Sequence, residues 1–421
     1  MKYSDSDDKK ALICFTAAFP FGMKETFFEN ELPFLAERFS SIFILPRYYP
    51  DNERPVRTLP ENVFYFAPQV PKSKFRRIIK GVFNTAPLSF YIDDFFEFKV
   101  FRSKSHLKTW FNSLLVFRAN YRWQKKVISE VDEQFSGNVL LYSYWAEAPI
   151  FLTRFCKIFC KILRMHRVDF YLEANDGYLP LRKRIYDSTD LLLPISDNIG
   201  SILTKHYEIA DSKIFISRLG VNRRKKSLYA EEPDLASKTI RIVSCSRVEP
   251  VKRVQLIAEA LCYYEGDDVL EWHHFGDGSQ LEELQNKVAG CPENVVVKLH
   301  GWSSQDEIFS FYENNYVHWL VNVSESEGIP VSIMEAMSYA IPVIATNVGA
   351  TSEIVNASNG RLFDVNVCAK DLLQEILLVD RADYQRKRNS ALETWRAKYF
   401  AKTNYTQLGE KLVDLLSVDS I

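Results

Sequence analysis

Short apolar runs alternate along this chain with stretches of helical periodicity, and this alternation predicts a parallel α/β fold. In the first half, the apolar runs predict strands at residues 11–16, 41–45, 139–143 and 191–195. In the second half, they predict strands at residues 240–245, 270–275, 295–299, 319–323 and 342–346. Each series suffices for one open sheet, so the pattern predicts two Rossmann-like domains facing a central cleft, with ligands beyond the carboxyl ends of the strands.

A polar segment at 222–238 separates the two series of strands. It contains Pro233 and lacks apolar periodicity, which is typical of a linker. We therefore expect an N-terminal domain at 1–222 and a C-terminal domain at 223–394, followed by a helical segment at 395–421.

Composition indicates a globular protein with reduced cysteines and does not identify its function. The chain of 421 residues is 47% hydrophobic and 25% charged, a normal globular balance. Its seven cysteines form no Cys-x-x-Cys pair, so we expect reduced thiols in a cytoplasmic protein rather than disulfides or a zinc site. The first ten residues are polar and acidic, unlike a signal peptide, and no apolar run reaches the ~20 residues that span a bilayer.

The net charge of -1 conceals a basic region in the first half of the chain. Residues 71–126 carry 13 Lys and Arg against 3 Asp and Glu, and the part at 72–83 interleaves these charges with apolar residues. Such a segment favours peripheral contact with an anionic membrane, although a solvated helix is the alternative. Nucleic-acid binding is not expected, because no recognition motif accompanies the charge.

The candidate chemistry begins with two carboxylates, Glu327 and Glu335, in a stretch that reads as loop, helix and buried strand. Where this helix begins, free backbone N–H groups with partial positive charge would hold an anion. Glu335 would accept hydrogen bonds from a ribose diol, and Glu327 would face the group attached to the phosphates. The residues that form the start of this helix are Gly328, Ile329, Pro330 and Val331.

Other candidates follow neighbouring strands. Arg247 and Lys252 come directly after residue 245, and an Arg fork with a Lys point charge suits a diphosphate, a solvated basic loop being the alternative. Gly276 and Gly278 follow the next strand, where glycines let a ligand approach the backbone or simply form a turn. Trp302 follows the strand at 295–299 and either stacks on a base or packs.

The stretch Ser324-Glu-Ser-Glu-Gly-Ile-Pro-Val-Ser-Ile-Met-Glu-Ala-Met337 resembles the donor-binding signature of retaining glycosyltransferases of family 4. The resemblance implies a glycosyltransferase-B architecture in which the last helix, at 395–418, crosses back to the N-terminal domain. It also implies that Arg247 and Lys252 neutralise a leaving nucleoside diphosphate and that base contacts lie near Trp302.

In the first half, the same resemblance covers three elements. Arg164-Met-His-Arg-Val-Asp-Phe-Tyr171 is similar to a family motif that places His166 near the donor sugar and acceptor, with Arg167 standing where glycine is common. The family's Tyr-x-Tyr-Trp element and first loop correspond to 142–145 and 19–31, which include Gly22. The residues so assigned to the acceptor side are Tyr144, Trp145 and Asp169.

Together these features predict a metal-independent, retaining enzyme that moves a hexose or hexosamine from a nucleoside-diphosphate sugar, UDP-sugars being favoured, to a glycan or lipid-linked glycan. Surface polysaccharides such as capsule or lipopolysaccharide are the expected products, and no cofactor is expected. The proposed catalytic residues are His166, Arg247, Lys252 and Glu327. The alternatives are a nucleotide-sugar 2-epimerase or sugar-phosphate synthase on the same fold, and a degenerate protein that only scaffolds a glycan-assembly complex.

Overall fold

The computed structural model covers most of the chain. It describes residues 9–22, 25–48, 57–68, 70, 78–81, 84–223, 239–379 and 381–418. Most of the basic segment at 72–83 and nearly all of the predicted linker at 222–238 therefore lie outside the described residues.

The chain divides into two compact units. The first comprises the residues up to Arg218 together with those from Lys402 onward, and the second is Leu219–Ala401. The limits expected from composition, 222/223 and 394/395, fall a few residues from these divisions.

The first unit is built on a six-stranded parallel sheet in the order β3-β2-β1-β4-β5-β6. Its central strands are buried along their whole length, as expected for apolar runs covered on both faces. The strands are β1 Ala11–Thr16, β2 Ser41–Pro46, β3 Val63–Tyr65, β4 Val139–Ser143, β5 Cys160–Met165 and β6 Leu191–Pro194.

Helices of the first unit pack on this sheet, and one of them comes from the end of the chain. Leu408 and Leu412 of the last helix join the same buried core as Leu35 of the first helix. The helices are α1 Thr26–Ala36, α2 Ser89–Glu97, α3 Lys104–Gln134, α4 Arg182–Ser188, α5 Asp197–Tyr207 and, at the end of the chain, α12 Ala401–Val418.

The second unit has its own six-stranded parallel sheet, in the order β12-β11-β10-β7-β8-β9. Trp272 and Trp319 are fully buried in its core. The strands are β7 Thr239–Cys245, β8 Val269–Phe275, β9 Val295–Leu299, β10 Trp319–Asn322, β11 Val343–Thr346 and β12 Gly360–Phe363. The helices are α6 Val254–Cys262, α7 Leu281–Val288, α8 Gln305–Asn314, α9 Val331–Ser338, α10 Ala369–Leu377 and α11 Arg381–Thr394.

The expected fold class of two Rossmann-like units is confirmed, and each strand predicted from an apolar run is present within one residue of its predicted limits. The helix expected at 395–418 is interrupted, because a π-helical turn at Trp395–Tyr399 precedes α12. No helix in the described part of the chain is long and apolar enough to cross a bilayer.

Candidate active site

In the second unit, an ion pair joins the loops that follow strands β7 and β10. Lys252 Nζ donates to Glu327 Oε1 at 2.5 Å, and both side chains are largely buried. The same carboxylate oxygen accepts from Ser324 Oγ at 2.7 Å and from Asn322 Nδ2 at 3.4 Å. Glu327 is therefore held by three donors, and an ionised carboxylate is the form that accepts them best.

Backbone contacts explain why these two loops meet. The Glu325 N–H donates to the Val251 carbonyl at 2.8 Å, and Arg253 Nε donates to the Val323 carbonyl, also at 2.8 Å. On the other side, the Ala350 N–H donates to the Gly328 carbonyl at 3.0 Å. The loop that carries Glu327 is thus fixed from both sides.

Gly349 allows its own backbone to pack closely against the loop that carries Glu327. Its φ is +55°, and a Cβ atom there would lie 1.9 Å from the Glu327 carbonyl oxygen. Only glycine satisfies both conditions without moving the backbone.

Glu335 lies on α9, the helix that begins just after this loop. Its Oε1 accepts from Gln305 Nε2 at 2.5 Å, and burial raises the pKa of Glu335 to about 7. Gln305 is placed by the start of α8, where Ser304 and Glu307 form a capping box. At the start of α9 itself, Pro330 offers no side-chain cap, so the positive end of the helix is open to an anion.

The Arg247 side chain lies mostly in solvent. Its side chain is 74% exposed, and Glu249 Oε1 is 4.0 Å from its Nη1. A guanidinium so weakly engaged by the protein can bind an incoming anion at little cost.

In the structure, Gly276 and Gly278 allow close packing of the backbone rather than the approach of a ligand. A Cβ atom at Gly276, whose φ is +148°, would lie 1.8 Å from the Ser246 carbonyl oxygen, and one at Gly278 would lie 2.4 Å from the Val248 carbonyl oxygen. The Val248 N–H in turn donates to the Asp277 carbonyl at 3.0 Å. These glycines therefore let the backbone after β8 pack against the loop that carries Arg247.

Trp302 follows β9 and is 65% exposed, so it is not a core residue. Its neighbour Gly301 accepts the Gly276 N–H at 2.8 Å, and His300 stacks on Phe275 with ring centroids 4.3 Å apart. The indole is thus carried on a fixed loop with its face available for stacking.

In the first unit, His166 is buried between the rings of Tyr144 and Trp145, at centroid distances of 4.9 and 4.7 Å. Its Nε2 lies 3.1 Å from the Tyr144 carbonyl oxygen, an arrangement that requires Nε2 to carry the proton. Burial and the nearby Arg164 guanidinium lower the pKa of His166 to about 3, so the ring is neutral. Arg167, which replaces the family's glycine, has an ordinary negative φ.

Asp169 joins the loops after β4 and β5. Its Oδ2 accepts the Ala146 N–H at 2.5 Å, and its Oδ1 accepts the His166 N–H at 2.7 Å. Burial raises the pKa of Asp169 to about 6. Asp169 therefore positions the backbone on which Trp145 and His166 lie.

Sequence analysis missed Glu25, which organises the loop after β1. The Glu25 carboxylate accepts the N–H groups of Ala17, Ala18 and Phe19 at 2.9, 2.8 and 2.7 Å, and the Trp145 indole at 2.6 Å. No local motif signals this role, since the donors lie six to eight positions before it and 120 positions after it. Gly22 nearby has a φ of +72°, which glycine adopts readily.

The sequence of most of the second unit is similar to that of a known family. Residues 226–391 match the family model of glycosyl transferases group 1. The matched segment covers less than half of the chain and resembles a group 1 glycosyltransferase domain. The Lys252–Glu327 ion pair, Glu335 and Arg247 all belong to this domain.

Individual proteins resemble parts or all of the chain. WcaL of Escherichia coli K12, whose name assigns it to colanic acid biosynthesis as a glycosyltransferase, is 27% identical over 217 residues, covering 50% of this chain and 52% of WcaL. The amylovoran biosynthesis glycosyltransferase AmsK of Erwinia amylovora is 28% identical over 181 residues, covering 41% of this chain and 43% of AmsK. The chain thus spans about half the length of the curated relatives it matches.

A solved structure extends the likeness in fold. HepE of Anabaena, in complex with UDP-glucose, matches with a TM-score of 0.63 and 15% identity, covering 96% of this chain and 99% of that chain. At this identity the match concerns the fold alone, and it agrees with the two Rossmann-like units.

Proposed function

We propose that this protein is a retaining, metal-independent glycosyltransferase. It transfers a hexose or hexosamine from a nucleoside-diphosphate sugar to a glycan or lipid-linked glycan in the synthesis of a surface polysaccharide. The observation that carries the proposal is the contact of Lys252 with Glu327 beside the open start of α9, within a group 1 domain. The names of WcaL and AmsK support the surface-polysaccharide assignment.

The proposed donor is a UDP-sugar, as favoured by the UDP-glucose complex of HepE on the same fold. The Glu335 carboxylate accepts the ribose hydroxyls, and the exposed Trp302 stacks on the base. The start of α9 and Arg247 hold the diphosphate, while Glu327 binds hydroxyls of the donor sugar.

The proposed chemistry is electrostatic. As the bond from the sugar to the diphosphate breaks, negative charge grows on the leaving group, and Lys252, Arg247 and the α9 N-terminus stabilise it. The acceptor hydroxyl attacks from the side of the leaving group and passes its proton to a phosphate oxygen, so no separate base is needed. His166, neutral at working pH, orients donor or acceptor through its ring.

The test compares UDP-, GDP- and ADP-glucose as donors, with release of the nucleoside diphosphate as the readout. Glu327→Gln should lose most of the activity, whereas Glu325→Gln, an exposed residue of the same loop, should keep it. The anomeric configuration of the product, read by NMR, tests retention. A product of inverted configuration would contradict the mechanism, and a 2-epimerised nucleotide sugar would indicate the epimerase instead.

Peripheral contact with the inner face of an anionic membrane is the second part of the proposal. Four basic residues, Lys99, Arg102, Lys104 and Lys108, lie exposed among solvent-exposed apolar side chains. We call this set the aromatic–basic surface; its apolar members are Ile92, Phe96, Phe98, Phe101, Leu107 and Phe111. An exposed apolar patch of this kind marks an interaction site, and basic residues around it favour anionic lipid.

The acidic residues near the aromatic–basic surface do not oppose such contact. Asp93 and Glu97 both pair with Arg184, at 3.1 and 3.2 Å. These two acids share one cation, and a third acid, Asp176, accepts from Ser105 Oγ at 2.6 Å. The four basic residues still leave the surface with a net positive charge.

A further inference from the structure

A cavity of about 360 Å³ lies wholly within the first unit, at the carboxyl ends of β1, β2 and β4 and beside α3. Its size lies within the range of ligand pockets of ~300–1,000 Å³. The side chains on which the following argument rests are Arg47, Phe117, Asn120, Gln124, Trp145, Glu147 and Arg182.

One face of α3 contributes polar groups to this apolar cavity. Ser113, Val116, Phe117, Asn120 and Gln124 recur every three or four residues and all line it. Gln124 is buried, and it lines the cavity with its amide-bearing side chain. A few polar groups among apolar and aromatic walls are typical of a site that binds a hydroxylated molecule.

The charges of the cavity wall do not balance. Arg47 and Arg182 share one acid, Glu147: Arg47 forms an ion pair with it, and Arg182 Nη2 lies 3.9 Å from its Oε1. The remaining residues of the wall are uncharged, so the described lining carries one excess positive charge; Asp169, which does not line the cavity, interacts electrostatically with both arginines from behind the wall.

Arg182 is the less satisfied of the two cations. It is 4% exposed, and its buried Nε and Nη1 have no hydrogen-bond partner in the described structure. The buried Arg164 differs: its Nε also has no partner in the described structure, but its Nη1 pairs with Glu31 at 2.5 Å and its Nη2 donates to the Ser217 carbonyl at 2.9 Å. A buried guanidinium with unused donors is costly unless another anion completes it.

We infer that this cavity binds an oxyanion carried by the acceptor, so that the acceptor is an acidic glycan or a glycan on a phosphoryl-bearing carrier. The inference rests on the proposed function, because it names the acceptor class of that reaction. A carboxylate or phosphoryl group matches the fork of Arg182, and the amides of Asn120 and Gln124 bind hydroxyl groups beside it.

Titration calorimetry on the full chain tests the inference, with UDP in excess so that an anion cannot enter the donor site. The probes are methyl β-glucuronide, geranyl diphosphate and, as a neutral control, methyl β-glucoside. We expect at least one anionic probe to bind about tenfold more tightly than the glucoside, and its affinity to fall with salt. Tight binding of the glucuronide indicates an acidic sugar, whereas tight binding of geranyl diphosphate indicates the carrier.

The matched variants are Arg182→Gln and Arg184→Gln, because Arg184 is on the same helix but pairs with Asp93 and Glu97 outside the cavity. Arg182→Gln should lower the affinity for the anionic probe about tenfold, and Arg182→Lys should retain part of that affinity. Arg184→Gln should leave the affinity unchanged. If Arg182→Gln does not fold, judged by loss of the wild-type circular dichroism spectrum and of cooperative thermal unfolding, Arg47→Gln replaces it.

Equal binding of glucuronide, diphosphate and glucoside, or no binding by any of them, would overturn the inference. UDP-sugar cleavage in the same preparation reports the proposed function separately. Cleavage without anion binding would reject the acceptor class alone, and anion binding without any cleavage would reject the glycosyltransferase assignment while leaving the anion site in place.

Discussion

Lys252 and Glu327 lie 75 positions apart in the chain, yet Lys252 Nζ is 2.5 Å from Glu327 Oε1. The ammonium neutralises the carboxylate, and Glu327 lies three residues before Pro330, the N-cap residue at which α9 begins. This pair therefore links the loop that binds sugar hydroxyls to the group that stabilises the leaving phosphate in the proposed reaction.

The first prediction concerns turnover. Lys252→Met and Arg247→Ala should each lower kcat by about 10²–10³, since their partner charge grows in the transition state. Steady-state kinetics with whichever of UDP-, GDP- and ADP-glucose proves to be the best donor is the measurement, and Glu325→Gln is the control because its side chain is exposed on the same loop. Wild-type turnover in Arg247→Ala would remove that residue from the mechanism.

The second prediction concerns pH. The pKa of Glu335 is about 7 in the structure, so the carboxyl is mostly protonated below pH 7 and mostly ionised above it. Ribose hydroxyls donate best to the ionised form, so the affinity for UDP-glucose should rise between pH 6 and 8 and level off above it. Calorimetric titration with UDP-glucose between pH 6 and 8 measures this change in affinity.

Glu335→Gln is the matched control for that titration. It should bind UDP-glucose more weakly and with a flat pH profile, because the titrating group is gone. A sloping profile that persists in Glu335→Gln would show that another group is responsible.

The third prediction concerns metal ions. In the proposed mechanism, Lys252, Arg247 and the α9 N-terminus supply the positive charge that a divalent ion would otherwise supply. Activity should survive EDTA with little change. Complete loss in chelator that manganese or magnesium restores would require a different mechanism.

The fourth prediction concerns the glycine after β8. Gly276→Ala should destabilise the second unit by more than ~2 kcal/mol and abolish UDP binding, because the added Cβ would displace the loop that carries Arg247. Gly290→Ala is the comparison: its added Cβ would meet the Lys287 carbonyl oxygen at 3.7 Å, an ordinary contact. Urea unfolding of both variants measures the difference, and equal stability would contradict the role given to Gly276.

The fifth prediction concerns the aromatic–basic surface. The protein should co-sediment with vesicles that contain anionic lipid, and binding should fall with salt. Lys99→Glu combined with Arg102→Glu should weaken binding more than tenfold, since each basic residue contributes ~1 kcal/mol near such a surface.

The control double variant is Lys157→Glu combined with Lys205→Glu, which makes the same change of charge at exposed positions elsewhere in the first unit. It should bind vesicles nearly as the wild type does. Absence of binding even at low salt would remove the membrane proposal and favour an acceptor that is free in solution.

The apolar pattern predicted most of both sheets, and the failures have physical causes. Strand β5 escaped notice because Lys161 and Arg164 interrupt its apolar run. Both cations are buried only because distant acids pair with them, Asp190 at 3.4 Å and Glu31 at 2.5 Å. Such partners cannot be read from a local window of sequence.

The candidate site was predictable to a similar extent. The loops after β7 and β10 were located from residue type and position, and the structure brings Lys252 to Glu327. The carboxylate of Glu25 and the cavity around Arg182 were not foreseen, because their partners come from elements far apart in the chain. Long-range complementarity of this kind is a property of the fold and not of any motif.

The last helix has a consequence for biosynthesis. Leu408 and Leu412 complete a core that includes the first strand, so the first unit is assembled from segments that precede and follow the second unit in sequence. During synthesis on the ribosome, that core lacks one wall until Leu408 and Leu412 have emerged. The second unit is continuous in sequence and can fold earlier, which reverses the usual order in which the domains of a nascent protein mature.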